Sequence, residues 1–159
     1  MAKKSGKRKA APGDVATNRQ ASYRFELLDR FECGIELQGS EVKSTREGGV
    51  QLKDAYASLD DGELWLHRMY VAPYRPAARE NHEPERPRKL LLHRRELERL
   101  IGQTSEKGLT LVPTRVYFRG PWAKVELALA RGKTGIDRRR DIKEREQRRE
   151  IERALSERE

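Results

Sequence analysis

The residues that could make or break bonds are few and poorly spaced for it. The three histidines, His67, His82 and His93, lack the His-x-x-x-His or similar spacing of a metal site. The single cysteine, Cys33, rules out an internal disulfide and a cysteine-cluster zinc site. Sitting after Phe31-Glu32 in a strand-like run, it reads as a small buried thiol rather than a nucleophile. There is no phosphate-cradling Gly-x-x-x-x-Gly-Lys-Ser/Thr loop and no Gly-x-Ser-x-Gly elbow. Carboxylates are abundant, but mostly in salt-bridging contexts. Enzyme chemistry is unsupported, and no cofactor or metal is implied.

Binding chemistry is better represented. Lys43-Ser44-Thr45-Arg46 follows Glu41-Val42, Arg86-Pro87-Arg88-Lys89 precedes Leu90, and Arg131-Gly132-Lys133 closes an apolar alternation. Tyr23, Tyr56, Trp65, Tyr74 and Trp122 are interleaved with these cations. Aromatic faces among Lys and Arg suit a nucleic acid with unstacked bases, although Trp65 and Tyr56 could equally be core residues of a hairpin.

The charge distribution points the same way. The 159 residues carry a net charge of +9, and 38% are charged against 35% hydrophobic. An ordinary domain is roughly 25% charged. Residues 1–14 contribute +4 and residues 131–159 contribute +3, so the middle is nearly balanced between two basic arms. The first arm has Gly6, Pro12 and Gly13 and almost no large apolar side chain, which predicts disorder over 1–17. No hydrophobic segment follows its lysines, so it does not read as a secretory signal. No apolar run approaches the roughly 18 residues of a membrane span. The expectation is a soluble, cytoplasmic protein of a reducing compartment. The last arm, 133–159, lacks Gly and Pro from Asp137 onward and is rich in helix formers, with Asp141/Arg145 and Glu144/Arg148 as favourable i,i+4 pairs. Its apolar residues are too sparse to face a core, which predicts a segment that becomes helical against an anionic surface.

The middle, 18–132, must position these groups, and it reads as strands. Tyr23–Leu28 and Phe31–Leu37 alternate around a turn at Asp29-Arg30, with a kink at Gly34. Gly39–Arg46 fits two helical turns stopped by Gly48-Gly49. Val50–Leu59 and Glu63–Val71 flank Asp60-Asp61-Gly62, a strong hairpin signal. Leu109–Phe118 and Ala123–Ala130 form a second hairpin through Gly120-Pro121, with an edge or a bulge at Pro113. Leu90, Leu97, Leu100 and Ile101 fall at helical spacing before Gly102, and residues 73–87 read as a mobile loop. The fold class is mainly β: a small OB-type antiparallel barrel of about six strands with two or three short helices. Such barrels commonly bind nucleic acid on a charged, aromatic-lined groove. From residue chemistry alone the chain is a basic RNA-binding barrel; a ribosomal or assembly protein and an RNA-processing enzyme are the rival readings.

Five stretches then coincide in order and spacing: Gly39-Ser-Glu-Val-Lys-Ser44 with Arg46, Leu52-Lys-Asp-Ala-Tyr56, Arg88-Lys-Leu-Leu-Leu92 with Arg95-Glu96, Ala130-Arg-Gly-Lys133, and Asp137-Arg138-Arg139. Together they resemble the small protein B (SsrA-binding protein) family from about Asn18 to the C-terminus. The resemblance implies a monomeric adaptor, one per RNA, that binds transfer-messenger RNA (tmRNA) for trans-translation. It implies delivery, with elongation factor Tu and GTP on the same RNA, to ribosomes stalled on messages lacking a stop codon. Carried onto matching positions, the implied RNA-facing residues are Asn18, Arg19, Glu32, Lys43, Ser44, Arg46, Arg88, Lys89, Leu91, Lys124, Arg131, Gly132 and Lys133. The implied ribosome-contacting tail comprises Ile136, Asp137, Arg138, Arg139, Arg140, Lys143, Arg145, Arg148 and Arg149, entering the small-subunit decoding region and the empty mRNA channel. The chain departs from the family at Ile136, where a stacking histidine or aromatic is usual, at Gln147, and at Gln20, Ser22 and Tyr23.

Overall fold

A computed structural model describes residues 13–105, 108–133 and 135–157. Six antiparallel strands close a ring in the order β8 (Leu109–Arg119), β4 (Tyr56–Asp60), β5 (Glu63–His67), β7 (Arg88–Leu91), β2 (Phe25–Ile35) and β9 (Trp122–Gly132), and β9 pairs back onto β8. Full closure leaves the ring without an exposed edge. A short strand, β1 (Asp14–Thr17), adds to the outer end of β8, and β3 (Val50–Gln51) pairs with β6 (Tyr70–Val71) in a separate ribbon. The helices are α1 (Arg19–Arg24), α2 (Gly39–Arg46), α3 (Arg94–Thr104) and α4 (Gly135–Ser156). The mainly β, OB-type expectation is met.

Several boundaries differ from the sequence reading, each for a local reason. The expected turn at Asp29-Arg30 is absent, and β2 runs straight through it with a bulge between Leu27 and Asp29. One extra residue reverses which face the side chains take. Phe25 and Leu27 therefore lie outside the ring, under α1 with Ala21, Val112, Ala128 and Ala130, while Phe31, Cys33 and Ile35 point inward. A second bulge, between Pro113 and Arg115 of β8, does the same, so Val116 is inside and Tyr117 outside. Leu90 belongs to β7, not to the helix expected around it, and α3 continues past Gly102 to Thr104. The arm expected over 1–17 ends in β1, and residues 1–12 lie outside the described residues.

The Asp60–Gly62 hairpin forms as expected, with left-handed φ of 49° at Asp61 and 74° at Gly62. The core is apolar and tight: Leu64, Leu66, Val71, Val125 and Leu127 from the strands meet Leu100 of α3, each at most 1% exposed. The end of α2 is equally close-packed. A methyl added at Gly49 would stand 2.7 Å from the Ser44 hydroxyl and 3.1 Å from Ala72 Cβ. It would push that hydroxyl off the Ala72 carbonyl, to which it donates at 2.6 Å. Gly49→Ala should therefore cost about 1–3 kcal/mol in denaturant unfolding.

Candidate nucleic-acid interface

The register of the ring assembles one groove. Gly34 on β2 faces Leu91 of β7 on one side and Lys124 of β9 on the other. Around that point Glu32, Leu91, Lys124, Phe118, Trp122 and His93 border a groove of about 930 Å³. Leu91 is 47% exposed and Trp122 is 69% exposed, so neither packs into the core. Three of the thirteen RNA-facing residues expected from sequence thus meet in one place.

The carboxylate of Glu32 is held in a defined pose. Its cross-strand neighbour on β9 is Glu126, a like charge that would repel it. Each acid is offset by its own donors. Tyr117 donates its hydroxyl proton to Glu32, and Arg119 Nη1 lies 3.1 Å from Oε1. Glu126 takes Arg30 at 3.4 Å, Arg115 at 3.3 Å and the Thr114 hydroxyl at 2.6 Å. Burial, then the hydrogen bond to Glu32, pushes the Tyr117 phenol up to about 12, so it remains a donor throughout the physiological range. A fixed carboxylate beside Lys124 can accept from base or ribose groups while the cation meets phosphate.

Helix α2 forms the groove's flank. Glu41 closes its first turn by accepting from the Gln38 N–H at 2.8 Å. Burial alone would raise the pKa of Glu41, but that hydrogen bond and the guanidinium groups of Arg86 and Arg88 hold it below the usual carboxylate value. Arg46 extends over the Phe118 ring at 4.4 Å and Lys43 over Tyr74 at 5.5 Å, leaving both cations at the surface.

Two of the expected RNA-facing side chains point inward instead. Ser44 is buried on Ala72. Arg88 is completely enclosed: Nε donates to Glu41, Nη1 to the carbonyls of Met69 at 2.6 Å and Arg86 at 3.0 Å, and Nη2 to Pro84 at 3.1 Å. The period of two in β7 carries the signal for this, since Arg88 shares a face with the core residue Leu90. Lys89 faces outward beside Trp65 and pairs with Glu63 at 3.2 Å.

The remaining expected residues gather at the far end of β9, about 23 Å along the strand from Lys124. Asn18 donates to the Pro113 carbonyl at 3.0 Å and ties the entry of α1 to the β8 bulge. Lys133 reaches α1, its N–H donating to Arg24 and its Nζ to the Ser22 carbonyl at 2.8 Å. Arg19, Arg131 and Gly132 are exposed there, and a methyl at Gly132 would meet nothing within 4 Å.

Helix α4 leaves from this end. Its 22 residues span about 33 Å. Residues 136–138 lie in its first turn, and every described side chain from Arg139 onward is exposed, including Arg140, Lys143, Arg145, Arg148 and Arg149. Among the described residues no group of three or more His, Cys, Asp or Glu could hold a metal, and no helix is long and apolar enough to cross a membrane.

A closed β-barrel with an aromatic-bordered groove that holds Lys124 and Glu32, cations on the flanking helix α2 and an exposed basic helix α4 belongs to the class of OB-type nucleic-acid-binding modules. Comparison with known proteins narrows the class. A family model described as SmpB protein matches residues 15–157. An SsrA-binding protein of Carboxydothermus hydrogenoformans is 52% identical over 141 residues, covering 89% of this chain and 95% of that one. An SsrA-binding protein of Mycolicibacterium paratuberculosis is 46% identical over 164 residues, covering 99% and 97%. A chain of a solved structure described as "tmRNA-SmpB: a journey to the center of the bacterial ribosome" superposes with a TM-score of 0.64 at 49% identity, covering 76% of this chain and 85% of that chain. This chain belongs to the SmpB protein family.

Proposed function

We propose that the protein is the tmRNA-binding adaptor of trans-translation, acting by binding and not by catalysis. The observation that carries the reading is the extent of the family match, 15–157, which takes in the barrel, the groove and α4 together. The barrel grips the tRNA-like domain of tmRNA. Lys124, Arg46, Lys43 and Lys89 meet phosphates, Glu32 accepts from a base or ribose edge, Leu91 supplies an apolar contact, and Trp122 offers a stacking face. Asn18, Arg19, Arg131, Gly132 and Lys133 form a second contact region where α1 meets the end of β9. Ser44 and Arg88 serve that surface from below, by fixing α2 and β7.

Helix α4 enters the decoding region and the vacant mRNA channel of the small subunit, where Arg138, Arg139, Arg140, Lys143, Arg145, Arg148 and Arg149 replace message contacts. Ile136 cannot stack as a histidine does, so the start of the tail works through charge and through its neighbours Asp137 and Arg138. Elongation factor Tu with GTP rides on the same RNA, one protein copy per RNA.

Binding to a tmRNA transcript, titrated with salt, tests this. Neutralising about five phosphates gives a log–log slope of about −3 to −4. A flat response between low and moderate salt, or equal affinity for an unrelated transcript, contradicts it.

A further inference from the structure

Helix α2 has a second side. Helical spacing puts Val42 and Arg46 on the flank that borders the groove, Glu41, Ser44 and Thr45 beneath, and Ser40 on the opposite flank, with Lys43 on the crest. Against that opposite flank lies the segment joining β6 to β7. The sequence reading made it a mobile loop, but the structure pins it at every turn. The Asn81 side chain accepts from the Tyr74 N–H at 2.8 Å and donates to the Tyr74 and Ala78 carbonyls. His82 is buried between the Ser40 hydroxyl, at 2.9 Å, and the Val71 carbonyl, at 2.9 Å. Arg88 and Arg86 clamp the return of the segment onto Glu41.

What this scaffold presents is the short turn Arg75–Glu80, bent at Ala78, with Arg75 and Arg79 exposed. Among the described residues neither arginine forms an ion pair. Glu80, Glu83 and Glu85 balance the segment's formal charge, but Glu85 borders a separate hollow with Lys53 and Arg68. Tyr74 at the foot of the turn carries Lys43 over its ring. The cations Arg46, Lys43, Arg75 and Arg79 therefore follow one another from the groove, over α2, onto a rigid turn.

We propose that the turn Arg75–Glu80 is an extension of the RNA-binding surface, with Arg75 and Arg79 contacting the sugar-phosphate backbone of the same RNA that occupies the groove. The partner follows from continuity: α2 borders both sites, and among the described residues no acid is paired with either arginine of the turn. The proposal rests on the tmRNA reading above. Because the backbone of the turn is held from behind, binding has only the two arginine side chains to order there.

The test is binding of tmRNA transcript by full-length Arg75→Gln/Arg79→Gln protein, with unfolding midpoints confirming an intact fold. Affinity at moderate salt should fall about tenfold, and the log–log salt slope should become shallower by about 1 to 2, as for two lost phosphate contacts. Arg75→Lys/Arg79→Lys should keep most of the affinity. Unchanged affinity and slope in the Gln variant, with normal binding by the unsubstituted protein, overturn the proposal. So does normal tmRNA binding coupled with lost association with purified ribosomes, which would assign the turn to ribosomal RNA. Failure of the unsubstituted protein to bind tmRNA would instead refute the reading beneath it.

Discussion

A chain ending at Gly135 should bind tmRNA with an affinity within about threefold of the full-length protein, while peptide tagging on stalled ribosomes falls to background. Two observations lead there. Every described side chain from Arg139 onward is exposed, so removing α4 strips none of its described side chains from the core. Residues 136–159 hold nine basic and eight acidic side chains, so their loss changes the net charge by one, from +9 to +8. Long-range attraction to RNA, which follows summed charge, is nearly preserved. What disappears is a local run of arginines on a rod of about 33 Å, useful only where phosphates line a narrow path. Filter binding and a tagging assay on the same truncated preparation check both halves. Equal loss of both activities would break the division between barrel and helix.

Replacing Arg88 by methionine should destabilise the fold by about 3–5 kcal/mol, a large part of a typical total of about 5–15 kcal/mol. Arg88 is the largest fully buried side chain, and its loss takes a donor from the carbonyls of Met69, Arg86 and Pro84, of which Pro84 still accepts from the Val71 N–H at 2.9 Å. It also leaves Glu41, buried at 0% exposure, with Arg86 as its one cationic partner among the described residues. The pair adds a pH dependence of definite sign. With the Glu41 carboxyl held below its usual value in the folded state, its contribution is complete above the unfolded carboxylate pKa of about 4 and is lost as pH falls through the lower folded value. The unfolding midpoint of the native protein should therefore drop on acidification below about pH 4, and the Arg88→Met protein should show a smaller drop. A loss under about 1 kcal/mol in urea unfolding would mean that the buried pair is not what holds β7 and α2 together.

Much of this is legible in the sequence. The Asp60–Gly62 hairpin, the Gly39–Arg46 helix, the β8–β9 hairpin and the bulge at Pro113 all follow from turn chemistry and period-two patterns. The bulge in β2 is not, because Phe25, Leu27, Phe31 and Cys33 all fall on odd positions and look like one face. Only the extra residue at Leu28 divides them between two cores, one inside the ring and one beneath α1. Arg88 misled for a different reason. In a run of cations it looks like a phosphate contact, and its burial depends on an acid 47 residues away in sequence. Glu32, Leu91 and Lys124 came from family resemblance, and their meeting in one groove is a consequence of the β7–β2–β9 register.

The most direct test of the account is to recover the protein from lysate and sequence the RNA that comes with it. The account predicts one dominant species, tmRNA, enriched far beyond its abundance and released by moderate salt. An assortment of RNAs in proportion to their abundance would contradict it.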